Sequence, residues 1–167
     1  MDEPVVLHSH DPIWLALFAE EQSAIVAALG VPRSSILHVG STAIPGLAAK
    51  PIIDILIEAA AYPPDATMVN ALSNLGYEHL GECGVSGRHW FRKGRPRTHH
   101  VHLVPVGGEV GRRLRLLRDW LLDHPEDARE YERVKRQAAL GRTINSKEYA
   151  NAKTEVIERI LARARQR

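Results

Sequence analysis

The sequence predicts an α+β fold, a mixed β-sheet with helices packed on it and a helical C-terminal third. Short apolar runs bounded by Gly and Pro crowd the first two thirds of the chain, at strand length rather than helix length. One of them, Pro51 to Glu58, is apolar almost throughout, as interior strands are. From Glu109 onward the pattern turns helical and stays so. Strands followed by helices point to layers segregated around one sheet. At 167 residues the chain reads as one domain, 1–167, able to bury a sizeable core without disulfides.

The elements follow in order. A helix is expected from Asp11 to Leu29: Asp11 is a capping residue, Pro12 suits the first helical position, and Gly30 with Pro32 stops it. Trp14, Leu17, Phe18, Ile25 and Leu29 form its apolar stripe. A strand from Ser35 to Val39 ends in Gly40-Ser41, and Thr42 to Lys50 is an irregular loop holding Pro45 and Gly46. The strand Pro51–Glu58 comes next, then a helix over 66–75 stopped by Gly76. Tyr77–Leu80, Arg88–Lys93 and His99–Val106 read as strands, the last two paired as a hairpin across Gly94-Arg95-Pro96-Arg97. Helices over 109–122, 126–140 and 146–165 complete the chain, separated by Pro125 and Gly141, with Asn145-Ser146 opening the last.

Composition narrows the function classes. Apolar residues at 44% and charged residues at 25% exclude a disordered or fibrous chain. The net charge of +2 suits an anionic small ligand as well as a nucleic acid. Aromatic residues are only 5%, with no stacking platform interleaved among basic residues, which disfavours nucleic acid. The lone Cys83 excludes an internal disulfide and fits a reducing compartment. Met1-Asp2-Glu3-Pro4 carries no signal-peptide pattern and no apolar run approaches membrane-spanning length, so a cytoplasmic protein, monomeric or homodimeric, is expected.

The chemistry concentrates between Gly40 and Asp54. A strand ends in Gly40-Ser41, where a missing Cβ lets backbone N–H groups and a hydroxyl approach a phosphate. Lys50, at the far end of the loop, supplies a point charge for the same anion. Asp54 then sits inside an apolar strand, where an unpaired charge is costly, so it lines a cavity, binds a metal, meets an Arg or Lys, or caps a neighbouring loop. The segment is not a P-loop, because Gly46 is followed by Leu47 rather than Lys-Ser/Thr.

A second cluster lies on the strand His99–Val106. His100 and His102 are two apart and share a face, while His99, Val101 and Leu103 take the other. Beside the strand of Asp54, faces matched, they bring two imidazoles to one carboxylate. That set binds a divalent metal, holds a phosphate or supplies a general base; at a sheet edge it merely faces solvent. On the last helix Tyr149 and Lys153 are i and i+4, sharing a face with Val156, Ile157 and Ile160. Lys153 either snorkels at the edge of that stripe or projects into the pocket. Arg88, Arg92 and Arg118 are further phosphate-contact candidates.

The run His38-Val39-Gly40-Ser41-Thr42-Ala43-Ile44-Pro45-Gly46-Leu47-Ala48-Ala49-Lys50-Pro51-Ile52-Ile53-Asp54-Ile55 resembles the signature of the GrpB family, a branch of the nucleotidyltransferase-fold superfamily. The resemblance continues through Arg88–Lys93, Thr98–His102, Leu117–Leu121, His124-Pro125, Tyr149 and Lys153, and so covers nearly the whole chain. Members also occur fused to dephospho-coenzyme A kinase, whose motifs are absent here. The resemblance implies a nucleotidyltransferase-like sheet in which Gly40, Ser41 and Thr42 hold a nucleoside triphosphate. It also suggests that Lys153 projects into the pocket and neutralises phosphate charge; with Lys50, Arg88, Arg92 and Tyr149 it makes the expected nucleotide- or phosphate-binding set. Asp54, His100 and His102 become the catalytic and metal-binding set, with Mg²⁺ or Mn²⁺ as the ion. His100 and His102 stand roughly where the superfamily keeps a third carboxylate. Its second carboxylate is missing: alternation places Leu56 beside Asp54, and Glu58 lies about 13 Å away by strand rise. The expected activity is nucleotidyl transfer to a small hydroxylated acceptor. The alternatives are a non-catalytic nucleotide-binding module and a single-metal phosphoesterase.

Overall fold

In a computed structural model that describes residues 5–140 and 145–167, the first helix, α1 (Ile13–Leu29), opens where the Asp11 carboxylate accepts the Ile13 N–H at 3.0 Å. It closes on Gly30, whose φ of 64° is the left-handed stop that favours glycine. Its buried side runs Trp14, Glu21, Ile25, with Phe18 packed alongside, whereas Leu17 is exposed. Leu17 was expected in that stripe. Glu21 is buried because it accepts the Tyr77 hydroxyl at 2.9 Å and pairs with Lys93 at 2.9 Å.

Among the described residues five strands make one mixed sheet: β1 (Ile36–Val39), β2 (Ile53–Ala59), β3 (Tyr77–His79), β4 (His89–Lys93) and β5 (His99–Pro105), in the spatial order β1-β2-β5-β4-β3. Among the described residues only the β2–β5 pairing is parallel. The chain reaches β3 through α2 (Ala66–Asn74), capped by Asp65. β2 begins two residues later than the sequence suggests, because its ladder starts with Ile53 N–H donating to the Thr98 carbonyl.

The two faces of the sheet differ. On one, Ile53, Ile55, Ile57, Phe91, Val101 and Leu103 pack with α1 and α2 into the main core. On the other, α3 (Glu109–Asp123) covers only one end: its Val110 and Leu114 pack on Val39, Leu56 and Val104. The opposite end of that face carries Asp54, His100 and His102. Helices α4 (Pro125–Ala139) and α5 (Ser146–Arg165) complete the C-terminal third. Asn145 and Glu148 cap α5 reciprocally. Ile44 and Leu47, from the loop before β2, pack with Leu121, Tyr131, Val156 and Ile160, which binds that loop to the helices. Gly141, expected as the break before the last helix, and Met1–Pro4 lie outside the described residues. Among the described residues no helix is long and apolar enough to cross a membrane.

Candidate functional site

The register of β2 and β5 decides the site. Asp54 stands opposite His100, and Leu56 opposite His102, in the parallel pair. Side chains at these positions share one face of the sheet: α3 covers Leu56 and leaves Asp54, His100 and His102 at the open end. His102 Nε2 lies 3.3 Å from Asp54 Oδ1, and His100 Nδ1 lies 3.6 Å from the same oxygen. Burial alone would push the Asp54 carboxyl up. Hydrogen bonding and charge from the two histidines override it and hold the group well below the usual carboxylate range. Asp54 keeps 28% of its side chain exposed, so the carboxylate is open to a ligand.

Gly40 closes the other side of Asp54. Its φ of 72° with ψ of −174° lies in a region essentially confined to glycine. A Cβ built there would stand 2.5 Å from Asp54 Oδ2 and 3.0 Å from Asp54 Cβ. Glycine is therefore required twice, for its backbone angles and for the approach of the carboxylate. Ser41 follows in a short 3₁₀ turn, Ser41–Ala43. The Thr42 hydroxyl faces inward: it is buried, meets His38 Nε2 at 2.9 Å and reaches the Ile52 carbonyl at 3.5 Å. Thr42 can thus serve a phosphate only through its backbone. His38 is itself buried and stacked on Phe18, and burial brings its pKa down to about 4; Asp54 opposes that shift and Arg118 adds to it. Arg118 donates to the His38 carbonyl at 3.3 Å, securing the strand end just before Gly40.

The C-terminal helices bring lysines. The Lys153 ammonium lies 4.3 Å from the centroid of the buried Tyr149 ring, and that of Lys50 lies 5.4 Å from the same centroid. Lys135 of α4 is nearly inaccessible, donates to the Ala48 carbonyl and lies over the Tyr131 ring. Burial and then repulsion from Lys153 bring its pKa down to about 7, while Glu132 and Asp54 pull the other way. Glu132 accepts the Ala48 N–H at 3.1 Å, so both backbone groups of Ala48 are tied to α4. Sequence reasoning missed Lys135 and Glu132. The available signal was a lysine four residues after Tyr131, inside the stripe Ala128, Tyr131, Val134 that faces the core.

Arg88 and Arg92 border the site from the side of β4. Arg88, just before β4, and Arg92, on it, flank Trp90 two strands from Asp54, with Trp90 opposite His102 and Arg92 opposite His100. Leu56 is fully buried against Val39 and Val104, and Glu58 is held by Arg115 at 3.1 Å beneath α3. Neither place offers a second carboxylate to the cleft.

A family model described as "GrpB protein" matches residues 4–163. The chain belongs to the GrpB family. The "Glutamate-rich protein GrpB" of Alkalihalophilus pseudofirmus is 32% identical, over 94% of each chain. A UPF0157 protein of Pseudomonas aeruginosa is 43% identical, covering 98% of this chain and 69% of that protein. UPF0157 protein YqkA of Bacillus subtilis is 38% identical, and this chain spans only 43% of its length. A crystal structure of conserved protein GrpB from Enterococcus faecalis is similar at a TM-score of 0.77 and 31% identity, covering 95% of this chain and 98% of that one. The GrpB resemblance and the α+β architecture both stand on these matches.

Proposed function

We propose that this GrpB-family chain binds a nucleoside triphosphate in the Asp54 cleft and transfers its nucleotidyl group to the hydroxyl of a small acceptor. The observation that carries the reading is the convergence of His100 and His102 on Asp54, directly against Gly40. Gly40-Ser41 offers close backbone approach to phosphate, and the lysines around Tyr149 offer positive charge. His102 uses Nε2 on Asp54, and its Nδ1 is buried and without a partner among the described residues. His100 turns Nδ1 to Asp54 and keeps Nε2. His100 is therefore the base and His102 a positioning residue. The acceptor hydroxyl gives its proton to His100 Nε2 as its oxygen attacks the α-phosphorus. The bond from that phosphorus to the pyrophosphate oxygen breaks, and pyrophosphate leaves with the electron pair beside Lys50 and Lys153.

A two-ion centre does not fit these residues. Leu56 is core, and among the described residues no three His, Cys, Asp or Glu side chains are grouped to hold a metal. A single Mg²⁺ or Mn²⁺ carried by the triphosphate asks for one carboxylate, and Asp54 Oδ2, the oxygen against Gly40, can give it. When bound, such an ion neutralises phosphate charge. The buried Leu56 favours one rival, a nucleotide-binding module without turnover.

Calorimetric titration with each nucleoside triphosphate, with and without Mg²⁺ or Mn²⁺, separates the readings. Binding lost in Asp54→Ala, with pyrophosphate release from a pooled acceptor library that is lost in His100→Ala, supports transfer. Tight binding without turnover supports the binding module. No binding of any nucleotide overturns both.

A further inference from the structure

We propose that the corner formed by Arg88, Trp90 and Arg92 is an anion subsite for the acceptor, so that the second substrate carries a carboxylate or a phosphate besides its hydroxyl. This rests on the transfer reading for the word "acceptor", but the anion site itself does not.

Arg88 and Arg92 lie with their guanidinium carbons 5.4 Å and 5.8 Å from the Trp90 ring centroid. The Trp90 ring meets His100 edge-on at 5.0 Å, next to the proposed base. Arg88 is half-buried and donates only to the carbonyls of Glu82 and Cys83, with no carboxylate partner among the described residues. Arg92 pairs with Glu78 Oε2 at 3.3 Å. Arg92, Arg95 and Arg97 line, with Glu78, a cavity of about 550 Å³. A half-buried guanidinium without a counter-ion is costly, and such charges are normally paired. Two donors at the same corner, Arg88 Nε and Trp90 Nε1, are buried and without acceptors among the described residues. Neither atom can accept a hydrogen bond, so the group that this corner lacks is an acceptor oxygen, best an anionic one. Burial lowers the Arg88 pKa, opposed by Cys83, in keeping with a cation short of compensation.

The strand order explains why this anion is not the nucleotide's own. β4 is three strand spacings from β1, whose end carries Gly40-Ser41, or about 14 Å. A triphosphate with its reacting phosphorus at Asp54 and its chain on Ser41 does not also span to β4. The distance suits a second molecule: β4 is one spacing from the strand of His100, about 5 Å, and two from Asp54, about 10 Å. A small hydroxylated metabolite with an acidic group fits between them.

The test is the indole N–H signal of Trp90 in ¹⁵N-labelled full chain, assigned with Trp90→Phe, during titration with inorganic phosphate, propionate and neutral propionamide. The expected result is a saturable shift with phosphate or with propionate, which also separates the two anion classes, and none with propionamide. Arg92→Gln and Arg88→Gln should each weaken that binding at least about tenfold, the loss of one charge-assisted hydrogen bond. Both variants should leave triphosphate affinity within about twofold. A shift with neither anion, or one that survives in the Arg88→Gln/Arg92→Gln double variant, overturns the subsite. If saturating triphosphate competes with phosphate at Trp90, the subsite belongs to the nucleotide and the acceptor assignment falls. Failure of every triphosphate to bind refutes nucleotidyl transfer, yet leaves the anion titration readable by itself.

Discussion

Replacing Gly40 by alanine tests the core of the site. The backbone at φ 72°, ψ −174° costs a non-glycine residue about 1–3 kcal/mol. The new Cβ would also stand 2.5 Å from Asp54 Oδ2. Moving the carboxylate aside means leaving the imidazoles of His102 and His100, at 3.3 Å and 3.6 Å, so relief is not free and the overlap adds about 1–3 kcal/mol. The total is about 2–6 kcal/mol, which for a chain of this size lowers Tm by roughly 4–24 °C. Gly46 is the control: its φ is 79°, but a Cβ there meets nothing within 4 Å. Gly46→Ala should therefore show the backbone cost alone. Calorimetry of both variants, and of Gly40→Ala in an Asp54→Ala background, isolates the contact. The cycle should return a coupling of about 1–3 kcal/mol. If Gly40→Ala and Gly46→Ala melt within about 2 °C of each other and no coupling appears, the close approach of strand end to carboxylate is wrong.

Three further outcomes follow from buried groups. His38 has a folded pKa depressed to about 4, so its stabilisation is complete above its unfolded value near 6.5 and is lost as pH falls toward 4. Against His38→Gln, the wild-type chain should lose about 3 kcal/mol over that window in urea unfolding, and parallel pH profiles would refute this. Lys135, with its pKa lowered to about 7, is disfavoured as a cation in the fold, so stability rises with pH from about 7 toward 10.5. Relative to Lys135→Met, the wild type should gain about 2–3 kcal/mol between pH 7 and 9 by denaturant midpoints. Leu56→Ala should cost about 2–5 kcal/mol, and Leu56→Asp should fail to fold rather than create a metal site. A folded Leu56→Asp that binds Mn²⁺ by calorimetry would place position 56 in the cleft.

Much of this was legible along the chain because the signals are local. The starts of α2, α4 and α5 follow from Asp65, Pro125 and Asn145: Asp65 and Asn145 accept backbone N–H groups of the first turn, and Pro125 has no N–H there to satisfy, whatever the surroundings. The shared face of His100 and His102 follows from the two-residue period of any strand, and the mismatch at Leu56 from the same period. Glu21 and Leu17 on α1 were not legible, since what buries Glu21 is the pair Tyr77 and Lys93, more than fifty residues away.

The Gly40–Asp54 segment shows where the division falls. The sequence by itself determined that a glycine, a serine, a lysine and a strand carboxylate lie close along the chain, and that no second carboxylate sits two residues beyond Asp54. Only the tertiary structure decided that β5 pairs in parallel with β2, in the register that brings both imidazoles to Asp54 Oδ1. It also decided that Lys135 and Glu132, more than eighty residues downstream, hold Ala48. The physical reason is that periodicity fixes which face a side chain takes within its own element. Which element lies opposite, and in what register, depends on how apolar faces close over one another across the whole chain.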